Sequence, residues 1–251
     1  MVDTTPRDDG PGPAALVTGA SSGIGLAVAR RLLAGGWRVT GVDRAASAIA
    51  DATGYRHLRA DLCEPPDLAA VEAAAAQGRW AGFVHAAGVM RDDADPDTRA
   101  AAGAALWQLH VGAAARLGAA IAPRMQDGRG RIVILSSRAA QGRAGRIYYA
   151  ASKAAVDGLV RSLAAELVFR GVTVNAVAPA ATDTPQLRDP GRAGARVAPL
   201  PIGRLIEPGE VAATVAFLLA PEAGAITGQT LIQCGGASLA PAPPRPAPET
   251  S

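Results

Sequence analysis

Tyr149 and Lys153 stand four residues apart in Tyr149-Ala150-Ala151-Ser152-Lys153, at the head of a helical run, AASKAAVDGLVRSLAAELVFR. Side chains at i and i+4 share a helix face, so the phenol and the ammonium address one site. A free tyrosine, with a pKa of about 10, is a poor acid or base near neutrality. A cation about 5 Å away, at an effective dielectric of about 20, favours the phenolate by roughly 3 kcal/mol, or about two pKa units. In most proteins such a pair merely decorates a surface. Here composition singles it out, because 24 of the 25 basic residues are arginine and Lys153 is the one lysine. Guanidinium is planar, bulkier and almost never deprotonated, so the position asks for a compact ammonium. Ser136 and Ser137 close the apolar run GRIVIL, and Ser137 precedes Tyr149 by twelve residues. A hydroxyl at a strand end can hydrogen-bond a substrate oxygen as charge develops on it. Neither serine has the Gly-x-Ser-x-Gly setting of a hydrolase nucleophile. The chemistry implied is proton exchange at a substrate oxygen. Tyr148, one residue off the register, is expected to pack or to face substrate.

A second cluster precedes these residues. AALVT runs into Thr18-Gly19-Ala20-Ser21-Ser22-Gly23-Ile24-Gly25 and then into the helical pattern LAVARRLLAG. Glycines at a strand-to-helix turn let backbone approach a pyrophosphate, while the helix N-terminus faces the phosphates. Gly19, Ser21, Ser22, Gly23, Ile24 and Gly25 are therefore candidate dinucleotide contacts. Eighteen residues past Gly25, the second strand candidate ends in Val42-Asp43-Arg44. An acid there accepts hydrogen bonds from both ribose hydroxyls and repels a 2′-phosphate, which favours NAD over NADP. Arg44 pulls the other way, because a guanidinium can pair with that phosphate. A bound oxidised nicotinamide would lower the Tyr149 pKa further, toward the operating range.

These residues need a scaffold. Seven short runs, AALVT, WRVTGV, YRHLRA, WAGFVHAA, GRIVILSS, VTVNAVA and QTLIQ, alternate with long alanine-rich helical stretches; the chain holds 59 alanines. Apolar strands separated by helices predict a doubly wound α/β fold, one parallel sheet of about seven strands covered on both faces. Residues 1–12 and the proline-rich 240–251 are expected to be flexible tails around one domain, 13–239. The 251 residues carry a net charge of +3, with no run of five like charges, which argues against a nucleic-acid partner. Cys63 and Cys234 are too few for a disulfide framework or a zinc site, and no metal is expected. The acidic, proline-rich start lacks a leader's pattern, and no apolar stretch reaches the roughly 18 residues of a membrane span, so a soluble, cytoplasmic protein is expected.

From about residue 14 to 239 the chain resembles the short-chain dehydrogenase/reductase family. Thr18 to Gly25 matches its TGxxxGxG loop, Asp61-Leu62 its adenine-side pair, and Ala86-Ala87-Gly88 most of its NAG motif. Ser137, Tyr149 and Lys153 match its catalytic serine, tyrosine and lysine. Asn175 and Pro179 match the following strand, Thr184 the residue that contacts the nicotinamide amide, with Thr182 beside it, and Ile226-Thr227-Gly228 with Gly235-Gly236 the C-terminal strand region. The resemblance implies a Rossmann-type fold and reversible hydride transfer between nicotinamide and a secondary alcohol or ketone. Tyr149 would exchange the hydroxyl proton, Lys153 would lower its pKa and hold the ribose, and Ser137 would orient the substrate oxygen. It also implies a homodimer or homotetramer built on helices near 99–127 and 150–170.

The chain departs from the family at several places. His110 replaces an asparagine that helps hold a relay water behind the lysine; it either preserves that relay in altered form or is a satisfied core histidine. His85, Ala180 and Cys234 replace the asparagine of NAG, a glycine and an aspartate, and are expected to be packing changes, Cys234 as a buried inert thiol. Arg138, Arg143 and Arg146 lie between Ser137 and Tyr149, and Arg188, Arg192 and Arg196 in the short stretch 184–204; these forks suit an anionic small-molecule substrate. VTGVDRA, HAAGVMR and ATDTPQL resemble the 2,3-dihydro-2,3-dihydroxybenzoate dehydrogenases, which oxidise a cyclic diol carboxylate with NAD. An alternative is an NADP-dependent 3-oxoacyl-carrier-protein reductase, with Arg129 and Arg170 facing an acidic carrier. A further alternative is a weakly active nucleotide-sensing or scaffold protein with the same fold.

Overall fold

The computed structural model describes residues 12–90, 99–188 and 199–239. The N-terminal tail up to residue 11, the C-terminal tail from 240, Arg192 and Arg196 lie outside the described residues. All seven strand candidates form strands: β1 Ala14–Thr18, β2 Arg38–Asp43, β3 Tyr55–Arg59, β4 Gly82–His85, β5 Arg131–Leu135, β6 Thr173–Pro179 and β7 Thr230–Gln233. They pair in parallel throughout, in the order β3-β2-β1-β4-β5-β6-β7. Such strands lose both faces to water, and their side chains divide accordingly. In β5, Ile132 and Ile134 pack into one apolar layer, Val133 and Leu135 into the other.

Among the described residues, six α-helices supply the two covers. Helices α1 (Gly23–Ala34) and α6 (Pro208–Leu219) pack together on one face; α2 (Pro65–Gln77), α4 (Ala113–Ile121) and α5 (Ile147–Leu167) cover the other, with α3 (Arg99–Trp107) against α5. The small residues do what the composition implies. A Cβ at Gly118 of α4 would lie 3.3 Å from Leu163 of α5. Tyr148 packs on Gly103 of α3, where a Cβ would stand 2.4 Å from its ring, while the residue stays exposed on its other side. The long stretch near 99–127 is not one regular helix. A π turn, Gln108–Gly112, joins α3 to α4, and Ala113 N–H bonds to the Gln108 carbonyl five residues back. None of the described helices is long and apolar enough to cross a membrane.

Candidate active site

The strand order reverses between β1 and β4, so their C-terminal ends open a crevice, the usual ligand position in doubly wound sheets. Gly19 leaves β1 with φ 69°, and its N–H donates to the Val42 carbonyl at 2.8 Å. A Cβ on Gly25 would fall 2.1 Å from the Gly19 carbonyl oxygen, so only glycine lets α1 start this close to β1. The first turn of α1 holds no acidic residue, and the Ser22 side chain caps no N–H. Its amide donors and positive dipole end are thus left to an anion in the crevice. Thr184, on the loop after β6, stands against the same turn: a Cβ on Gly23 would lie 3.2 Å from its Cγ2.

The crevice is a cleft of about 1830 Å³. That exceeds the roughly 300–1,000 Å³ of a small-ligand pocket and leaves room for a dinucleotide with a substrate beside it. At one end lie Asp43, Arg44, Asp61 and Leu62, and along the turn Gly19, Ser22, Gly23, Ile24 and Gly25. The middle is lined by Ala86, Ala87 and Gly88 after β4 and by Pro179, Thr182 and Thr184 after β6. Ser137, Tyr149, Lys153 and His110 line the far part, with Arg138 and Arg188 at its rim. Sequence reasoning passed over Glu64, Met90, Leu187 and Leu200, which also line it. Met90, Leu187 and Leu200 are loop residues whose type carries no catalytic signal, and Glu64 is a carboxylate at the N-cap of α2 that no motif marked.

Ser21 is the exception among the turn residues, since it does not line the cleft. Its N–H donates to Asp43 Oδ2 at 3.0 Å and its hydroxyl to the Ala45 carbonyl at 3.1 Å. Ala45 N–H holds the other carboxylate oxygen at 3.0 Å. Asp43 is thereby fixed at the tip of β2 instead of swinging freely in a turn. Arg44 is two-thirds exposed and pairs loosely with Asp61, at 3.8 Å.

Lys153 is buried, and its Nζ donates to the Leu135 carbonyl at the end of β5, 2.8 Å away. Burial pushes its pKa down to about 7, so the cation that tunes Tyr149 is itself costly to keep. The Ser136 hydroxyl donates to the Lys153 carbonyl at 3.0 Å and ties α5 to β5; Ser137 Oγ accepts from Ala139 N–H at 3.2 Å and starts the next turn. Tyr149 is buried, its ring edge-on to His110 with centroids 5.7 Å apart.

His110 is wholly buried in the π turn and bonded at both ring nitrogens, to Ser152 Oγ at 2.9 Å and to Val89 N–H at 3.3 Å. It is a satisfied core histidine that also lines the cleft. His85, expected as packing, is likewise bonded twice, to Thr18 Oγ1 and the Leu109 carbonyl, each at 3.0 Å. Burial pushes its pKa down to about 3, and burial also holds His110 well below the usual histidine range, with the Lys153 charge second in both cases.

Other expectations need correction. The Arg188 fork is closed by both oxygens of Asp183, at 2.8 and 2.6 Å, so it presents a neutralised pair to the cleft. Arg129 and Arg170 sit at the opposite end of the sheet from Ser137, before β5 and before β6, and Arg170 is committed to Asp127 and the carbonyls of Ala122 and Met125. Cys234, just past β7, is only partly buried. Burial pushes its thiol up, but hydrogen bonds with Ser238, Gly236 and Ala237 outweigh this and hold it below its ordinary range.

Fold, glycine turn and cleft together define a dinucleotide-binding α/β protein. The family model described as enoyl-(acyl carrier protein) reductase matches residues 19–238. The short-chain reductase protein NovJ of Streptomyces niveus is 38% identical over 88% of this chain and 92% of its own. The 3-oxoacyl-[acyl-carrier-protein] reductase FabG of Vibrio cholerae is 38% identical over 90% and 97%. Two solved structures share the fold at 30% identity and a TM-score of 0.79. They are a 3-ketoacyl-(acyl-carrier-protein) reductase from Brucella melitensis complexed with NADH (91% and 99% covered) and BdcA in complex with NADPH (89% and 93%). The chain belongs to the short-chain dehydrogenase/reductase family and is an oxidoreductase acting between CH–OH and C=O groups.

Proposed function

We propose that the protein interconverts a secondary alcohol and a ketone with NAD(H), on a cyclic hydroxy carboxylate or a similar anion. The observation that carries the reading is the convergence of Ser137, Tyr149 and Lys153 on the cleft that begins at the uncapped N-terminus of α1. When bound there, the dinucleotide supplies the hydride acceptor or donor. Gly19 and Gly23 would leave its pyrophosphate room at the backbone N–H groups of the turn, Gly25 lets α1 start close to β1, and Thr184 stands against the turn. Tyr149 Oη exchanges the proton of the substrate hydroxyl. Lys153 favours the phenolate and holds ribose hydroxyls, and Ser137 orients the reacting oxygen.

Asp43 supports NAD. Its carboxylate is fixed by two N–H bonds, so a 2′-phosphate beside it meets a charge that cannot turn away. At about 5 Å and an effective dielectric between about 20 and 80, each unit of phosphate charge costs about 1–3 kcal/mol, a preference of roughly 5- to 200-fold. Arg138, Arg143 and Arg146 line the substrate side and support an anionic substrate.

A second reading, an acyl-carrier-linked 3-ketone, draws on the names of the relatives. Fluorescence titration with NADH and NADPH, followed by turnover of cyclic hydroxy carboxylates and of 3-oxoacyl thioesters, separates the readings. Tighter NADPH binding overturns the Asp43 argument, thioester-only turnover replaces the carboxylate, and binding of both nucleotides without turnover of either class favours a sensor.

A further inference from the structure

The two buried histidines have their protons assigned by their partners. A carbonyl oxygen only accepts, so the bond to Leu109 requires His85 Nε2–H to donate. His85 carries one ring proton, so its Nδ1 is bare and takes the Thr18 hydroxyl proton; Thr18 Oγ1 in turn accepts Ala87 N–H at 3.1 Å. At His110 the logic runs through Ser152, whose hydroxyl donates to the Tyr149 carbonyl at 2.9 Å. Ser152 Oγ must therefore accept from His110 Nδ1–H, which leaves His110 Nε2 bare to receive Val89 N–H.

The opposite tautomers meet at one structural irregularity. Leu109 and His110 are neighbours inside the π turn, a helical insertion found most often at functional sites. His85 grips the turn by its carbonyl from β4, while His110 reaches from it to the first turns of α5, where Tyr149 and Lys153 are mounted. The Gly88 backbone lies between the two ends of this linkage: a Cβ there would stand 3.3 Å from His110 Nε2 and 3.5 Å from Lys153 Nζ. A shift of the turn therefore meets Lys153 and the loop after β4 at once.

We propose that His85 and His110 act as one positioning unit for Tyr149 and Lys153, coupled through the π turn that His85 holds and His110 extends from. The catalytic part of this inference rests on the dehydrogenase reading above, whereas the hydrogen-bonded geometry does not. Neither histidine touches substrate in this role.

Amide side chains separate the two edges of an imidazole: asparagine reproduces the Nδ1 position, glutamine the Nε2 position. His85→Asn keeps a partner for Thr18 and loses Leu109, while His85→Gln keeps a donor toward Leu109. We expect His85→Asn and His110→Leu each to lower kcat about tenfold with the NADH Kd changed less than twofold. The double variant should fall about tenfold, not a hundredfold, because releasing the turn once removes the shared contribution. His85→Gln should recover kcat to within about threefold of the parent. Multiplicative losses, unchanged kcat in His85→Asn, or a Kd that rises in step with the fall in kcat would each overturn the proposal. Imidazole ¹⁵N spectra give a readout independent of turnover: the parent should show His85 protonated at Nε2 and His110 at Nδ1, and His85→Asn should lose the fixed His110 tautomer. A parent with other tautomers, or a His110 signal indifferent to His85→Asn, sinks the coupling even if every enzyme form is active. Absent turnover with these spectra intact would instead count against the dehydrogenase reading alone.

Discussion

Two buried neutral histidines make the fold sensitive to acid, by an amount the structure allows to be worked out. In the unfolded chain both titrate near 6.5. In the fold, burial lowers His85 to about 3 and His110 well below its usual range. Between those limits the unfolded chain binds protons that the native state refuses, so stability falls as the pH drops from about 6.5 toward 3. His85 contributes roughly 1.4 kcal/mol per pH unit inside that window, and His110 acts in the same direction. From pH 7 to 5 the His85 share amounts to about 2 kcal/mol. Lys153 adds little, because its native pKa of about 7 makes the cost of its buried charge nearly complete at the upper end of the range. At about 2–4 °C per kcal/mol for a chain of this length, the His85 share alone should lower the melting temperature by about 4–8 °C between pH 7 and 5, with His110 adding to the drop. Calorimetry or fluorescence melts at fixed ionic strength measure this, and His85→Gln should remove the His85 share. A melting temperature that is flat from pH 7 to 5, or a drop that His85→Gln leaves whole, would refute the assignment of neutral buried imidazoles.

Tyr149→Phe should lower kcat at least a thousandfold while NADH still binds, since the fold keeps its ring against His110 and loses only the exchangeable proton; steady-state rates with a fluorescence titration check this. Asp43→Asn should move the NADPH-to-NADH affinity ratio toward NADPH by about 5- to 200-fold, and a ratio unmoved in titrations shows that the carboxylate does not discriminate. Lys153→Arg should be as inactive as Lys153→Met despite keeping its charge; retention of a tenth of parental kcat would mean that a cation of any shape suffices. Gly25→Ala should abolish dinucleotide binding or folding, because its Cβ would fall 2.1 Å from the Gly19 carbonyl oxygen. Circular dichroism beside an NADH titration tells the two apart.

The sheet was legible because its strands are short β-branched runs set between alanine-rich helices, and burial on both faces leaves that pattern little choice. The cofactor turn was equally legible, since a Gly25 forced by backbone contact leaves its mark in residue type. Lost to sequence were the features made by meeting partners. The π turn at Gln108–Gly112 adds one residue to a helix, and an apolar period in an alanine-rich stretch does not register one extra residue. Arg188 reads as a free anion fork until Asp183, five residues earlier, folds back onto it. Ser21 sits inside the phosphate-binding motif but spends its polar atoms on Asp43 and Ala45. His85 looks like packing because its partners, Thr18 and Leu109, are 67 and 24 residues away and meet it only through strand pairing and the π turn.

The single lysine is explained by what surrounds it. Its Nζ has the Leu135 carbonyl at 2.8 Å, and Gly88 and His110 stand on the cleft side. A guanidinium there would have to orient five donors where one carbonyl is in place, and it cannot relieve the burial cost by shedding a proton. An ammonium can, and its pKa near 7 keeps both protonation states within reach at neutral pH. Burial strengthens the field that Lys153 exerts on Tyr149 and in the same measure taxes the charge that makes it. Glycine at position 88 and neutral imidazoles at 85 and 110 fit that balance. They stand near the lysine and bring no second positive charge to a site where one buried charge is already costly.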